Sequence, residues 1–107
     1  MKEKFVSSPF ELTLHPLEKT YYIYDFNRLT TLTPTALKIL EYGIRNIVNN
    51  QVFLDTGNIA KYLYQEETDT LKTRVRRGIR NLVANSVIAR TETPTIYWLN
   101  INVINKI

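Results

Sequence analysis

Residues 70–85 read TLKTRVRRGIRNLVAN and combine an apolar stripe with a dense set of arginines. The apolar residues recur at steps of three and four, so that at about 100° per residue they fall on one side of a helix. They are Leu71, Val75, Ile79 and Leu82. The pattern predicts an amphipathic helix over these residues, with the stripe packed in the core.

The opposite side of this predicted helix is basic. Thr73, Arg77 and Arg80 lie directly opposite the stripe, Thr70 and Arg76 flank them, and Lys72 and Arg74 lie at the borders. Together with Arg90, residues 70–90 hold six basic side chains and no acidic one, so that the rest of this chain of net charge +4 is slightly acidic. One concentrated basic segment predicts a polyanionic partner at a defined place, with a solvated helix face as the alternative.

A further helix is predicted near the middle of the chain. Thr33 and Pro34 form the pair of N-cap and first helical residue that commonly starts a helix. The expected core residues of this helix are Leu37, Leu40, Ile44, Ile47 and Val48. We expect it to end at about Asn49 and Asn50, because asparagine tolerates the left-handed conformation of a helix end.

The next segments connect this helix to the basic one. A short strand is predicted over residues 51–55, followed by a second helix over residues 57–65 with Thr56 as its N-cap. The acidic turn after it contains Glu66, Glu67 and Asp69. Their negative charges lie near the N-terminus of the basic helix, where they would stabilise it. A catalytic carboxylate cluster is a weak alternative here, since no nearby residue could act with it as a base or metal ligand.

Two strands complete the pattern. They are predicted over residues 87–91 and 96–100, with Pro94 in the turn between them, and residues 101–105 extend the second strand or form a final arm. The order of elements predicts an α+β, mainly helical fold, a winged helix-turn-helix of three helices and a small antiparallel β-hairpin wing. We expect one domain over residues 1–107, with a winged-helix core at 33–100 and an N-terminal arm or dimerisation element at 1–30.

The composition argues against several classes of function. The 107 residues include no cysteine, one histidine and three glycines. Disulfides, thiol nucleophiles, thiolate or multi-histidine metal sites and glycine-rich phosphate loops are therefore excluded. No apolar run is long enough to span a membrane. We expect a cytoplasmic binding protein that is not an enzyme and that needs no cofactor or metal.

The basic helix supplies the candidate DNA contacts. We expect its N-terminal half to enter the major groove, with Thr70, Thr73, Arg74 and Arg77 at base edges. Arg76 and Arg80 are expected to pair with phosphates, Lys72 lies beside them, and Arg90 with Thr93 or Thr95 would add one or two wing contacts. At the second helix, Thr56, Asn58 and Lys61 could contact the DNA backbone.

Three segments resemble a known family. They are residues 32–40 (LTPTALKIL), 75–88 (VRRGIRNLVANSVI) and 96–102 (IYWLNIN). They are similar to the opening helix, the recognition helix and the closing strand of RepL-type plasmid replication initiators and related winged-helix proteins of plasmids and phages. The closing segment departs from those initiators in lacking their proline, so a small winged-helix repressor fits equally well. The resemblance implies a winged helix that binds DNA.

These observations lead to one principal hypothesis and two alternatives. The principal one is a homodimeric, sequence-specific transcriptional regulator of a plasmid, phage or other mobile element, bound to double-stranded DNA. Its expected dimer surface is Tyr21, Tyr22 and Ile23 with the N-terminal arm, or residues 101–107. The alternatives are a replication initiator and a protein-interaction module whose basic helix docks on an acidic partner.

Overall fold

A computed structural model describes residues 4–10, 21–23, 31–100 and 104–106 of the protein. The elements in these ranges are β1 (Tyr21–Ile23), α1 (Pro34–Ile44), β2 (Gln51–Phe53), α2 (Thr56–Tyr64), α3 (Asp69–Ala84), β3 (Ile88–Arg90), β4 (Ile96–Leu99) and β5 (Ile104–Lys106). The predicted order from the first helix to the last strand of the hairpin is confirmed. The described part of the chain is α+β and mainly helical, with three helices and a three-stranded antiparallel sheet.

Helix α1 begins as predicted but ends earlier. The hydroxyl of Thr33 accepts a hydrogen bond from the backbone N–H of Ala36 (3.2 Å), and Pro34 is the first helical residue. The helix stops at Ile44, so the predicted end at Asn49 is wrong. Asn49 and Asn50 do have positive φ angles of 52° and 62°. Positive φ at both central residues is what a type I′ turn requires, and Val48 and Gln51 on either side of them exchange two backbone hydrogen bonds.

The expected core face of α1 is rotated in the structure. Leu37 and Val48 are 41% and 65% exposed, so their assignment to the core is wrong. The residues that α1 buries are Ala36, Ile39, Leu40 and Gly43. Small residues lie on this face because it meets two close neighbours: a Cβ on Gly43 would lie 3.0 Å from the Leu54 side chain after β2, and α3 crosses near Ala36.

The cap of α2 differs from the predicted one, and α3 has a cap of the same kind. Asp55, rather than Thr56, caps α2, since its carboxylate accepts from the backbone N–H of Asn58 (3.0 Å). Thr68 caps α3, and its hydroxyl accepts from the N–H of Leu71 (3.2 Å). Both residues have the extended backbone and short oxygen-bearing side chain that an N-cap needs. The turn between the helices starts at Gln65, which is left-handed with φ 61°.

The sheet has the strand order β2–β4–β3, with β4 in the centre. Val52 of β2 pairs with Tyr97, and Ala89 of β3 pairs with Trp98. The strands are shorter than the predicted ranges, but the alternation on β4 is clear: Tyr97 is buried, whereas Trp98 is partly exposed and its indole N–H donates to the carbonyl of Phe5 (3.0 Å). The N–H of Phe5 donates to the carbonyl of Arg90 (2.9 Å), so residues near Phe5 cover the β3 edge.

Helices α1 and α3 cross at Gly78. A Cβ at this position would lie 2.5 Å from Cδ1 of Ile39 and 3.3 Å from Cγ2 of Thr35, so only glycine allows the observed approach. Asn81 on the next turn of α3 and Asn85, the C-cap of this helix, hold the start of α1. The side-chain oxygen of Asn81 accepts from the N–H of Thr33 (3.1 Å), and that of Asn85 accepts from the Thr31 hydroxyl (2.8 Å).

The predicted arm and tail are described only in part. Of residues 1–30 the structure describes 4–10 and 21–23, and of the segment after Asn100 it describes 104–106; the remaining predicted residues lie outside the described ranges. Strands β1 and β5 pair with each other, antiparallel, with Tyr22 opposite Asn105. None of the described helices has the length and apolar character needed to cross a membrane.

The close crossing at Gly78 predicts that alanine at this position destabilises the protein, whereas helix propensity alone would predict stabilisation. Alanine normally stabilises a helix interior by about 1 kcal/mol relative to glycine. At Gly78 its methyl overlaps the buried Ile39 side chain, and overpacking costs about 1–3 kcal/mol. We expect Gly78→Ala to lower the free energy of unfolding by up to about 2 kcal/mol in urea titrations, which is the overpacking cost less the gain in helix propensity. A stabilised variant would show that the crossing is looser than described.

Candidate nucleic-acid interface

The solvent face of α3 is built from arginines. Arg74, Arg76, Arg77 and Arg80 are all exposed, whereas Val75, Ile79 and Leu82 on the other side are buried. The amphipathic arrangement predicted from the sequence is confirmed in this respect. Because α3 is anchored through its apolar side, its four guanidinium groups point into solvent within two turns of one helix.

These arginine charges lack acidic partners among the residues that the structure describes. The salt bridges formed there are Arg45–Glu41, Lys61–Glu67 and Lys72–Glu67, and none includes Arg74, Arg76, Arg77 or Arg80. Like charges three or four residues apart on a helix destabilise it slightly. In spite of this repulsion, α3 has four positive charges on one surface, which would attract a polyanion.

The two threonines of the face are at the N-terminal half of α3. Thr70 is exposed, and Thr73 is partly exposed. The hydroxyl of Thr73 donates to the carbonyl of Asp69 (2.9 Å), so its proton is used within the helix. Thr73 can therefore present only its hydroxyl oxygen, as an acceptor, and its methyl group to a ligand.

A groove separates α3 from the loop between β3 and β4. Its volume is about 310 Å³, and it is lined by residues of α3, of the start of α2, and of the sheet with its β3–β4 loop. The basic members are Arg76, Arg80 and Arg90; Thr56, Pro94 and Thr95 are among the others. Asp55 is also at the groove, where its carboxylate caps α2. The structure thus brings three of the predicted phosphate-binding arginines to one groove.

The β3–β4 loop is held by Thr91. The buried Thr91 hydroxyl lies 2.7 Å from the carbonyl of Ile96 and accepts from the N–H of Thr93 (3.0 Å). The tip of the loop, residues 92–94, is exposed. The loop is therefore a short, internally bonded projection beside the arginine groove.

The predicted contacts on α2 are divided between two places. Thr56 lines the arginine groove and Asn58 is exposed beside it, with its backbone N–H bonded to Asp55. Lys61 instead forms a salt bridge with Glu67 at 3.3 Å, and Lys72 of α3 approaches the other oxygen of the same carboxylate, also at 3.3 Å. Hydrogen bonds from Lys61 and then from Lys72 hold the pKa of the Glu67 carboxyl below its ordinary value. Glu67 therefore joins α2 to α3, in contrast to the predicted role of stabilising only the N-terminus of α3.

Sequence reasoning missed Lys4. This exposed residue lines a small cleft of about 100 Å³ at the β3–β4 loop, together with Arg90, Thr93 and Pro94. It is placed there by the hydrogen bonds of Phe5 to Arg90 and Trp98. No local pattern could have found it, because the partners are separated by most of the chain.

Comparison of the chain with protein-family models, with curated proteins and with solved structures finds no match. Among the described residues, no group of three or more histidine, cysteine, aspartate or glutamate side chains could hold a metal ion. The functional interpretation therefore depends on the geometry of α3 and the adjacent groove.

The Glu67 salt bridges predict a specific response to acid. Because the pKa of Glu67 is lower in the folded than in the unfolded chain, its ion pairs stabilise the fold at neutral pH. This contribution is lost as the pH falls through the ordinary glutamate range of about 4.3 and then through the lowered folded pKa. We expect the melting temperature of Glu67→Gln to fall less between pH 7 and pH 3 than that of the wild type. Glu66→Gln should keep the wild-type acid response; equal responses of both variants would contradict the assignment.

Proposed function

We propose that the protein is a winged helix-turn-helix that binds duplex DNA, with α3 as its recognition helix in the major groove. The observation that carries this proposal is the face of four exposed arginines on α3 with no acidic partner in the described part of the chain. Phosphate groups and the guanine edge are the ligands that such a face suits best.

The arrangement of elements supports this proposal. Helices α2 and α3 are joined by the short turn of residues 65–68, as in helix-turn-helix motifs, and β3 and β4 form a hairpin directly after the second of them. The hairpin loop lies across a groove from Arg76 and Arg80. A wing in that place would contact the DNA backbone beside the major groove.

The side chains divide by their positions on α3. Thr70, Thr73, Arg74 and Arg77 occupy its N-terminal half and would face base edges. Arginine is suited to the two acceptors of guanine, and the methyl group of Thr73 to that of thymine. Arg76, Arg80 and Arg90 line the groove toward the wing and would pair with phosphates, to which Lys4 adds a fourth cation.

The length of the face bears on the biological role. Residues 70–80 of a helix extend about 15 Å, which corresponds to about four base pairs along DNA. One such contact selects few sites, so we propose a homodimer that reads two half-sites about one helical turn apart. A transcriptional regulator of a plasmid, phage or other mobile element is the role that we propose for it, and replication initiation would use the same DNA contact.

The first test is the salt dependence of binding to pooled random duplexes. With about five phosphate contacts, log K plotted against log salt should have a slope of roughly −4 to −5. Fluorescence anisotropy with labelled duplexes at several salt concentrations measures it. Absence of duplex binding, together with a tight complex with an acidic polypeptide, would instead indicate the protein-docking function.

The second test compares two basic residues of different faces. We expect Arg77→Ala to weaken binding by about 1–3 kcal/mol and to relax one base preference, because its guanidinium would reach a guanine. Lys38 is exposed on α1, on the side away from the buried Ala36 and Ile39, and Lys38→Ala is the matched control. Selection from a random duplex library before and after each change measures both effects. Equal losses for the two variants would remove α3 from the interface.

A further inference from the structure

Glu67 connects two lysines that belong to different helices. Its two carboxylate oxygens lie 3.3 Å from Nζ of Lys61 on α2 and 3.3 Å from Nζ of Lys72 on α3. The side chain of Lys61 is 66% exposed, whereas those of Glu67 and Lys72 are 33% and 28% exposed. One carboxylate thus pairs with both lysines at the corner of α2 and α3, next to the arginine face, and lowers the joint charge of the three side chains from +2 to +1.

The carboxylate occupies the space beside Gly57 that a β-carbon at this position would need. A Cβ on Gly57 would lie 2.5 Å from an Oε of Glu67 and 3.0 Å from its Cδ. Gly57 is in the first turn of α2, where negative charge is favoured by the helix dipole. Its backbone angle is not in the left-handed region. A larger residue at position 57 would therefore displace the Glu67 carboxylate rather than strain the backbone.

We infer that Glu67 limits the affinity of this protein for DNA by competing with phosphate groups for Lys61 and Lys72. The inference depends on the proposed function, since it concerns the same interface. In the free protein both ammonium groups pair with the one carboxylate, so that the three side chains together contribute one positive charge instead of two. When Glu67 is removed or displaced, both become available to phosphates at the end of the interface where α3 begins.

Competition of this kind affects binding without changing base recognition. Phosphate contacts add affinity that is independent of sequence and sensitive to salt. Each lysine that gains a phosphate contact should steepen the salt slope by about 0.9 and raise the association constant roughly 3- to 10-fold at moderate salt. An internal carboxylate therefore lowers non-specific binding more than it lowers discrimination among bases, which remains with the arginines of α3.

Two variants remove the competition by different means. Glu67→Gln removes the charge, and Gly57→Ala leaves the formal charge unchanged but pushes the carboxylate from its seat with a methyl group. Alanine suits a helix, so Gly57→Ala should remain folded. Glu66→Gln is the matched control, because Glu66 is exposed in the same turn and forms none of the salt bridges of the described residues.

The experiment measures binding of each protein to pooled random duplexes across a salt series. We expect Glu67→Gln and Gly57→Ala to bind about 5- to 30-fold more tightly than the wild type, with slopes steeper by about 1 to 2. Glu66→Gln should change affinity less than about 3-fold. Adding Lys72→Ala to Glu67→Gln should remove a large part of the gain.

The outcomes separate this inference from the proposed function. If the wild type binds duplexes with the expected salt slope and Glu67→Gln and Gly57→Ala bind no more tightly than Glu66→Gln, the competition is refuted and DNA binding stands. If none of the proteins binds duplex DNA at any salt concentration, both proposals are refuted.

Discussion

The close crossing of α1 and α3 at Gly78 is the constraint on which the rest of the structure depends. It brings the backbone of α3 against Thr35, Ala36 and Ile39, and thereby fixes the rotation of α3 about its own axis. With that rotation set, Val75, Ile79 and Leu82 enter the core and the arginines must face solvent. The hydrogen bonds of Asn81 and Asn85 to the start of α1 secure the same crossing from the side. The position of the basic face is therefore a consequence of packing on the opposite side of the helix.

Repulsion between the arginines of α3 destabilises this helix. Arg74 and Arg77, and likewise Arg76 and Arg80, are spaced so that like charges meet on the helix surface, which costs about 0.2–0.5 kcal/mol for each pair. The buried stripe, the Thr68 cap and the Glu67 salt bridges offset this repulsion. Sites where a sequence violates a local rule that its neighbours obey are frequently functional sites. In this helix the violation is confined to the face that we propose for DNA contact, while Glu67 offsets one of the two lysine charges at its border.

The sequence predicted most of what depends on local periodicity, apart from the cap of α2, and failed mainly where long-range contacts decide. Residue spacing within single segments was enough to predict the three helices and the strands β2, β3 and β4, and with them the α+β class and the order of these elements. The Thr33 cap and the arginine face were predicted in the same way. The end of α1 did not, because the helix stops where β2 folds back against Gly43, and the left-handed Asn49 and Asn50 serve a tight turn instead of a cap. The position of Lys4 and the pairing of Glu67 with two lysines could not be predicted from the sequence for the same reason, since their partners lie on other elements.

We propose that the arginine face of α3, with the adjacent loop, is the surface that contacts duplex DNA. Backbone amide chemical shifts followed by NMR during titration with duplex DNA at low salt test this most directly, because they report the whole surface at once. We predict that the largest shifts fall in residues 70–80 and in the loop 91–95, while the exposed side of α1 around Lys38 stays unchanged. Shifts concentrated on that side of α1, with residues 70–80 unaffected, would contradict the claim.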